Sequence, residues 1–273
     1  MLKNSSIICI ALIIGVCASS CEPLKISPDD KAMQLVNNPD LLESTTNSLK
    51  IDLIAFYPFN NNVNDESSNN HDGINIAATP VCDRFNNAKA ALDFNGKTSF
   101  VSIKDSVDLR LSNTDFTINY WVNLDEYYPL SGSAVLSKNN GAYQNGWNCS
   151  ITGHSFITGQ IGRAFYNVSG GSDPWAVGEK IIELEKWTMI TTIYSLSNQS
   201  IRFYINGTFD HTEWNIPTPN PLTNVNLQIG KNSFNDPRGT TPSYFINGKL
   251  DDIRIYSRPL KESEVSDLYQ LPN

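Results

Sequence analysis

Two stretches of this 273-residue chain gather groups that could do chemistry. The first, Asn60-Asn-Asn-Val-Asn-Asp-Glu-Ser-Ser-Asn-Asn-His-Asp-Gly73, is dense in carboxylate, amide and hydroxyl oxygens. Hard cations take roughly 6 to 8 such oxygens, so the loop is a candidate calcium site with Asp65 and Asp72 as its carboxylates. The glycine and glutamate spacing of an EF-hand is missing, and the same residue types also simply make turns. The second stretch, Leu250-Asp-Asp-Ile253, opens a strand-like run that stops at Pro259. Successive strand side chains face opposite ways, which puts Asp251 on the face of Ile253 and Ile255, and Asp252 with Leu250 and Arg254. Adjacent carboxylates on opposite faces cannot be a catalytic pair. Asp252 can meet solvent or Arg254, whereas Asp251, aimed at an apolar face, needs a partner. A calcium ion or amides of the 60–73 loop would serve.

Other chemistries lack their residues. His71, His154 and His211 are scattered through loop-like contexts, which argues against a histidine metal site or a triad. No Gly-x-Ser-x-Gly elbow or phosphate-cradling loop occurs. The net charge of -8 and the absence of any Lys/Arg cluster exclude nucleic acid as a partner. Aromatic side chains outside clear strand cores offer a different function, because such rings stack on sugar faces. The candidates are Tyr127, Tyr128, Tyr143, Trp147, Trp175 and Trp214, and Trp175 and Trp214 stand in the most open, loop-like surroundings. Trp121 and Trp187 sit in alternating runs and belong to a core.

The elements that must position these residues are short strands. From Ile51 onward, runs rich in Ile, Val, Phe, Tyr, Trp and Thr alternate with Asn, Gly, Ser, Asp and Pro clusters, the pattern of an all-β antiparallel two-sheet sandwich or jelly roll. The clearest strands are expected at 53–59, 90–94, 100–103, 116–122, 134–137, 187–194, 201–205, 225–229 and 244–255. Asn206-Gly207 predicts a two-residue hairpin turn. The only good helix within the domain is 261–271.

Residues 1–20 differ in kind. Lys3 precedes an uncharged apolar run from Ile7 to Val16, too short to span a bilayer, as in a secretory signal peptide. Ala18-Ser-Ser-Cys21 resembles a bacterial lipoprotein cleavage site, although Ala18 stands where Leu is usual. Cys21 is then the lipidated residue of an exported, envelope-anchored and outer-membrane lipoprotein, reaching the membrane only through that lipid; simple secretion is the alternative. Residues 21–50 form a tether with a short helix near Ser27-Pro-Asp-Asp-Lys31, and 51–273 form one domain. In an oxidising compartment Cys82 and Cys149 could pair, or remain two separate thiols.

Several segments together resemble the laminin G-like, concanavalin A-like jelly rolls. They are Ala55-Phe-Tyr-Pro-Phe-Asn60, 64–73, Ala91-Leu-Asp-Phe-Asn-Gly96, Phe100-Val-Ser-Ile103, Phe116-Thr-Ile-Asn-Tyr-Trp-Val122, Trp187-Thr-Met-Ile190, Phe203-Tyr-Ile-Asn-Gly207 and Gly248 through Tyr269. The resemblance implies two curved antiparallel sheets, a short C-terminal helix, and a calcium ion shared by Asp65 or Asp72 with Asp251 or Asp252. Such domains include carbohydrate-binding modules, adhesion domains and, on related folds, glycosidases and lyases. The acidic run of sandwich glucanases is absent; Glu183-Leu-Glu185 lacks its middle aspartate and third acid. Gln160-Ile-Gly162 lacks the histidine of alginate lyases. The expectation is non-catalytic binding of a glycan or polysaccharide through Trp175, Trp214, Tyr143, Trp147 and Tyr128. The alternatives are an atypical glycosidase or lyase, and an adhesion domain for other surface proteins.

Overall fold

The computed structural model describes residues 30–141, 145–168, 174–234 and 243–272. Two helices, α1 (Asp30–Asn37) and α2 (Pro39–Ser48), precede the strands; Asn38 caps α2 by accepting from the Leu41 amide, with Pro39 at the first helical position. The strands are β1 (Leu53–Tyr57), β2 (Gly73–Ile76), β3 (Thr79–Val81), β4 (Ala91–Asn95), β5 (Phe100–Ile103), β6 (Phe116–Leu124), β7 (Gly132–Asn139) and β8 (Gly146–Thr152). They continue with β9 (Arg163–Asn167), β10 (Trp175–Ile181), β11 (Thr188–Ser195), β12 (Ser200–Ile205), β13 (Thr208–Trp214), β14 (Leu227–Ile229) and β15 (Asn247–Tyr256), and the helix α3 (Glu262–Gln270) closes the chain.

These strands form two antiparallel sheets. The first runs β13-β12-β11-β6-β15-β4-β3 with β1 also paired to β15, and the second runs β10-β9-β8-β7-β14-β5-β2. Inward residues of both sheets build one core, in which Phe116 packs against Tyr194 and Tyr166 at centroid distances of 5.0 and 5.8 Å. The outer face of the first sheet is not left to water. Val265 and Leu268 of α3, with Leu49 beyond α2, join Trp121, Trp187 and Tyr256 in a second apolar cluster there. The expected hairpin forms at Asn206-Gly207, both with positive φ.

Three expectations need correction. Asp251 does not share a face with Ile253 and Ile255. The register of β15 against β6 shifts between Asp251 and Arg254, and Asp252 takes a φ of 46°, so a bulge inserts one residue and resets the alternation. Leu250, Ile253 and Ile255 point into the core between the sheets, and Asp251, paired with Trp121, points to the outer face. Its partner is not an oxygen-rich loop but Arg84. The buried guanidinium donates to Asp251 at 2.6 Å and to Asp252 at 2.7 Å, and stacks 4.4 Å from the ring centres of both Phe85 and Trp121. Burial pushes the Asp252 carboxyl up, but Arg254 and Arg84 outweigh it and hold it below its ordinary value.

The cysteine pair is the second correction: Cys82 is disulfide-bonded, but Cys149 is a free thiol and so is not its partner. Cys149 points from β8 into the sealed core, where burial pushes its thiol pKa well up. Trp147, two residues earlier and on the same face, is the third. It is fully buried in that core with its indole N–H on the Leu109 carbonyl at 3.0 Å, so it cannot stack on a ligand.

Removing one partner of a buried ion pair strands the other charge. Arg84→Ala is therefore expected to cost about 3 to 5 kcal/mol in urea denaturation, by leaving Asp251 uncompensated. A loss under about 1 kcal/mol, the scale of an exposed pair, would show that the clamp contributes little.

Candidate functional site

On the second sheet the same alternation that fills the core builds the opposite face. In β8, Trp147, Cys149 and Ile151 point inward while Asn148, Ser150 and Thr152 point outward. Phe165 and Asn167 of β9 do the same, with Trp175 beside them at the start of β10. Asn148 pairs with Asn167 and Asn167 with Trp175, so carboxamide, carboxamide and indole stand in one row across three strands.

This row is the floor and one wall of a groove of about 430 Å3. The first wall is an aromatic cluster: Phe156 meets Phe165 at 5.1 Å and Trp175 at 6.0 Å, both edge to face. The facing wall is Phe234 and Tyr244, the latter backed by Tyr128 at 5.6 Å. Phe234 lies so close to the backbone of Gly141 that a Cβ there, at a φ of +78°, would sit 2.8 Å from its ring; only glycine fits. The turn carrying Phe234 is clipped to the end of β7, where the Ser233 hydroxyl accepts from the Asn139 amide at 2.6 Å and donates to its carbonyl.

Among the described residues the groove is lined by no Asp, Glu, Lys, Arg or His. A pair of carboxylates for glycoside hydrolysis cannot be assembled from that lining. What it offers is ring faces for stacking and neutral hydrogen-bonding groups. Several of the latter are committed: the Thr152 hydroxyl accepts from the Arg163 amide at 2.8 Å and donates to the Gln160 carbonyl, and the Asn148 amide nitrogen donates to Ser150 at 2.6 Å. The carboxamide oxygens of Asn148 and Asn167 are sheltered and have no protein donor.

The residues singled out from sequence fall in different places. Trp175 lines the groove and is 43% exposed, and Tyr128 stands behind its far wall. Trp214 is 56% exposed at the end of the edge strand β13, on the other sheet. Tyr143 and Cys21 lie outside the described residues. Asp65 accepts from the amides of Phe56, Ser67 and His71 and from the Ser67 hydroxyl, at 2.8 to 3.0 Å, and Asp72 accepts from the Asp65 amide at 2.9 Å. These carboxylates knit the 60–73 loop together, and Asp251 is spent on Arg84. No group of three or more acidic, His or Cys side chains arranged to hold a metal occurs among the described residues.

Asn148, Asn167, Phe165, Phe156 and Phe234 were not singled out by sequence. The signal available was the outward half of an alternating strand, Asn148, Ser150 and Thr152, built of small neutral polar residues where a solvated face usually carries charges. Of the five tryptophans, Trp121, Trp147 and Trp187 are buried and Trp175 and Trp214 are exposed. Iodide should thus quench only part of the emission, and Trp175→Phe with Trp214→Phe should abolish the quenchable part. Persistent quenching in that double variant would contradict the burial of the other three.

The comparisons with known proteins agree with this architecture. The profile of the family described as the concanavalin A-like lectin/glucanases superfamily, Laminin_G_3, matches residues 95–266, well over half the chain. No curated protein matches the chain. The fold is similar to that of domain 4 of AbnA, a GH43 extracellular arabinanase from Geobacillus stearothermophilus solved with arabinotriose. There the TM-score is 0.59 at 24% identity, covering 80% of this chain and 98% of that one. It is also similar to botulinum neurotoxin type C, whose cell entry depends on two ganglioside molecules, with TM-score 0.60, 15% identity and 84% and 53% coverage. The binding domain of botulinum neurotoxin DC in complex with rat synaptotagmin II gives 0.56, 15%, and 81% and 51%. This chain thus spans about half the length of the toxin structures. With its sheet order, its terminal helix and its profile match together, the chain belongs to the concanavalin A-like lectin/glucanases superfamily.

Proposed function

We propose that this protein is a non-catalytic glycan-binding module whose site is the groove on the outer face of the second sheet. The observation that carries the reading is the lining itself: aromatic rings on both walls, and neutral amides and hydroxyls on the floor. Ring faces remove apolar sugar faces from water, and fixed polar groups exchange hydrogen bonds with hydroxyls, the usual division of labour in a small-molecule site. The two glycan-linked structures, one with arabinotriose and one dependent on gangliosides, lend support at the level of fold. The synaptotagmin complex keeps a protein partner as the competing outcome.

The test is calorimetry against soluble fragments of several polysaccharides. Binding is expected for at least one, weakened about tenfold or more by Trp175→Ala, because burying a large apolar side chain is worth about 1.5 to 3 kcal/mol. Trp214→Ala should bind as wild type. Loss of binding through Trp214 instead of Trp175 would move the site to the first sheet, and no binding to any fragment would remove the reading.

The N-terminal segment completes the proposal: a signal peptide exports the chain and a lipid on Cys21 holds it at the bacterial envelope. Mass spectrometry of the mature protein should find an acylated N-terminal Cys21, lost in Cys21→Ser together with membrane association. Cys21 found in a disulfide with Cys82 would overturn the anchor, since one sulfur cannot carry both bonds.

A further inference from the structure

Trp214 is an exposed indole that the groove does not use, and its neighbours on the first sheet give it a different chemistry. In β12, Ile201 and Phe203 enter the core, so Ser200 and Arg202 face outward, and Arg202 pairs with Ile193 of the outer apolar cluster. β13 sets Trp214 opposite Ser200 and Thr212 opposite Arg202, which puts the indole and the guanidinium on that same outer face. Their positions are diagonal across two neighbouring strands, about 7 to 8 Å apart and within reach of two long side chains. The cluster under α3 takes in Ile193 and Tyr204 but not Trp214, which stays 56% exposed.

Arg202 differs from the other arginines. Arg84, Arg110, Arg254 and Arg258 each hold a carboxylate, at 2.6, 2.6, 3.4 and 2.8 Å. Arg202 has no carboxylate partner among the described residues, and its hydrogen bond from Nη1 to the Tyr204 hydroxyl is long, at 3.4 Å. That hydroxyl donates in turn to Glu262 at 3.2 Å, so the first acid of α3 is engaged by the tyrosine and not by the arginine. Glu213, opposite the core residue Ile201, belongs to the other face of β13. A guanidinium is a planar fork that matches a carboxylate, and an indole takes the apolar face of a sugar ring out of water. A uronate unit offers both partners at once, because its carboxylate stands on the edge of the ring.

We propose that this corner of the first sheet is a second glycan site, separate from the groove, which takes an acidic sugar unit with its ring face on Trp214 and its carboxylate on Arg202. A neutral unit engages only the indole and is held more weakly. The net charge of -8 opposes an anion at long range, but salt near 0.1 M screens that field beyond about 10 Å and leaves the contact with the guanidinium.

The experiment titrates the full protein, in buffer near 0.1 M salt, with short fragments of galacturonan, glucuronan and mannuronan and with the methyl esters of the same fragments, which keep the sugar and remove the charge. At least one acidic fragment is expected to bind, and its ester at least about tenfold more weakly. Trp214→Ala and Arg202→Gln should each weaken the acidic fragment by about tenfold, and Arg202→Lys, which keeps the charge but loses the fork, should restore only part of it. Trp175→Ala should leave it unchanged. If Arg202→Gln melts below wild type, the comparison of acid with ester on the wild-type protein decides. An ester that binds as well as its acid would overturn the role of Arg202. Acidic fragments lost through Trp175→Ala and kept in Trp214→Ala would place them in the groove and overturn the second site. No binding of any acidic fragment would also overturn it, while the groove, which is read by neutral fragments and Trp175, would stand or fall on its own test.

Discussion

Strand alternation is the constraint on which this structure rests. Every residue of β8 that enters the core fixes the position of a neighbour on the groove floor: Trp147 and Cys149 bracket Asn148, and Cys149 and Ile151 bracket Ser150. Core interiors tolerate little displacement, because they are packed to the density of organic crystals. The floor inherits that rigidity. A carboxamide held from beneath by a buried strand loses little freedom when a ligand arrives, which is how a shallow polar surface can bind without closing over its ligand.

The two sheets divide the work. The first is covered on both faces, by the core on one side and by α3 and the α2 end on the other, and its ionic chemistry is structural. Arg84 reaches across from the loop after β3 to hold the bulge of β15, where two adjacent aspartates share one guanidinium. The second sheet keeps one face open, and there the described lining carries no charge.

The fold was legible in the sequence where alternation was strong, as in Phe116-Thr-Ile-Asn-Tyr-Trp-Val122, and where turn chemistry was specific, as at Asn206-Gly207. β8, β9 and β10 escaped, because their outward residues are Asn, Ser and Phe and their flanks are rich in glycine, so the runs read as loop. The misplacement of Trp147 has the same origin: beside Gly146 it read as lying outside a clear strand core, though its spacing to Cys149 and Ile151 puts it inward. Of the site, Trp175 could be found from its surroundings, but the amides that share its row come from other strands and only the register brings them together. The bulge at Asp252 and the Arg84 clamp, 167 residues away in sequence from Asp251, leave no local signature at all. Asp65 and Asp72 stand out in the sequence for their oxygens, while the bonds they make, to backbone amides of β1 and of their own loop, leave no local signature.

The central claim is that the outer face of the second sheet is where ligand sits. Amide and indole resonances of the isotopically labelled protein, followed by NMR as a neutral oligosaccharide fragment is added, test it most directly. The side-chain amides of Asn148 and Asn167 and the indole of Trp175 are expected to shift together while the buried indoles of Trp121 and Trp187 stay still. Shifts confined to Trp214 and the edge of the first sheet, with Asn148 and Asn167 unmoved, would contradict it.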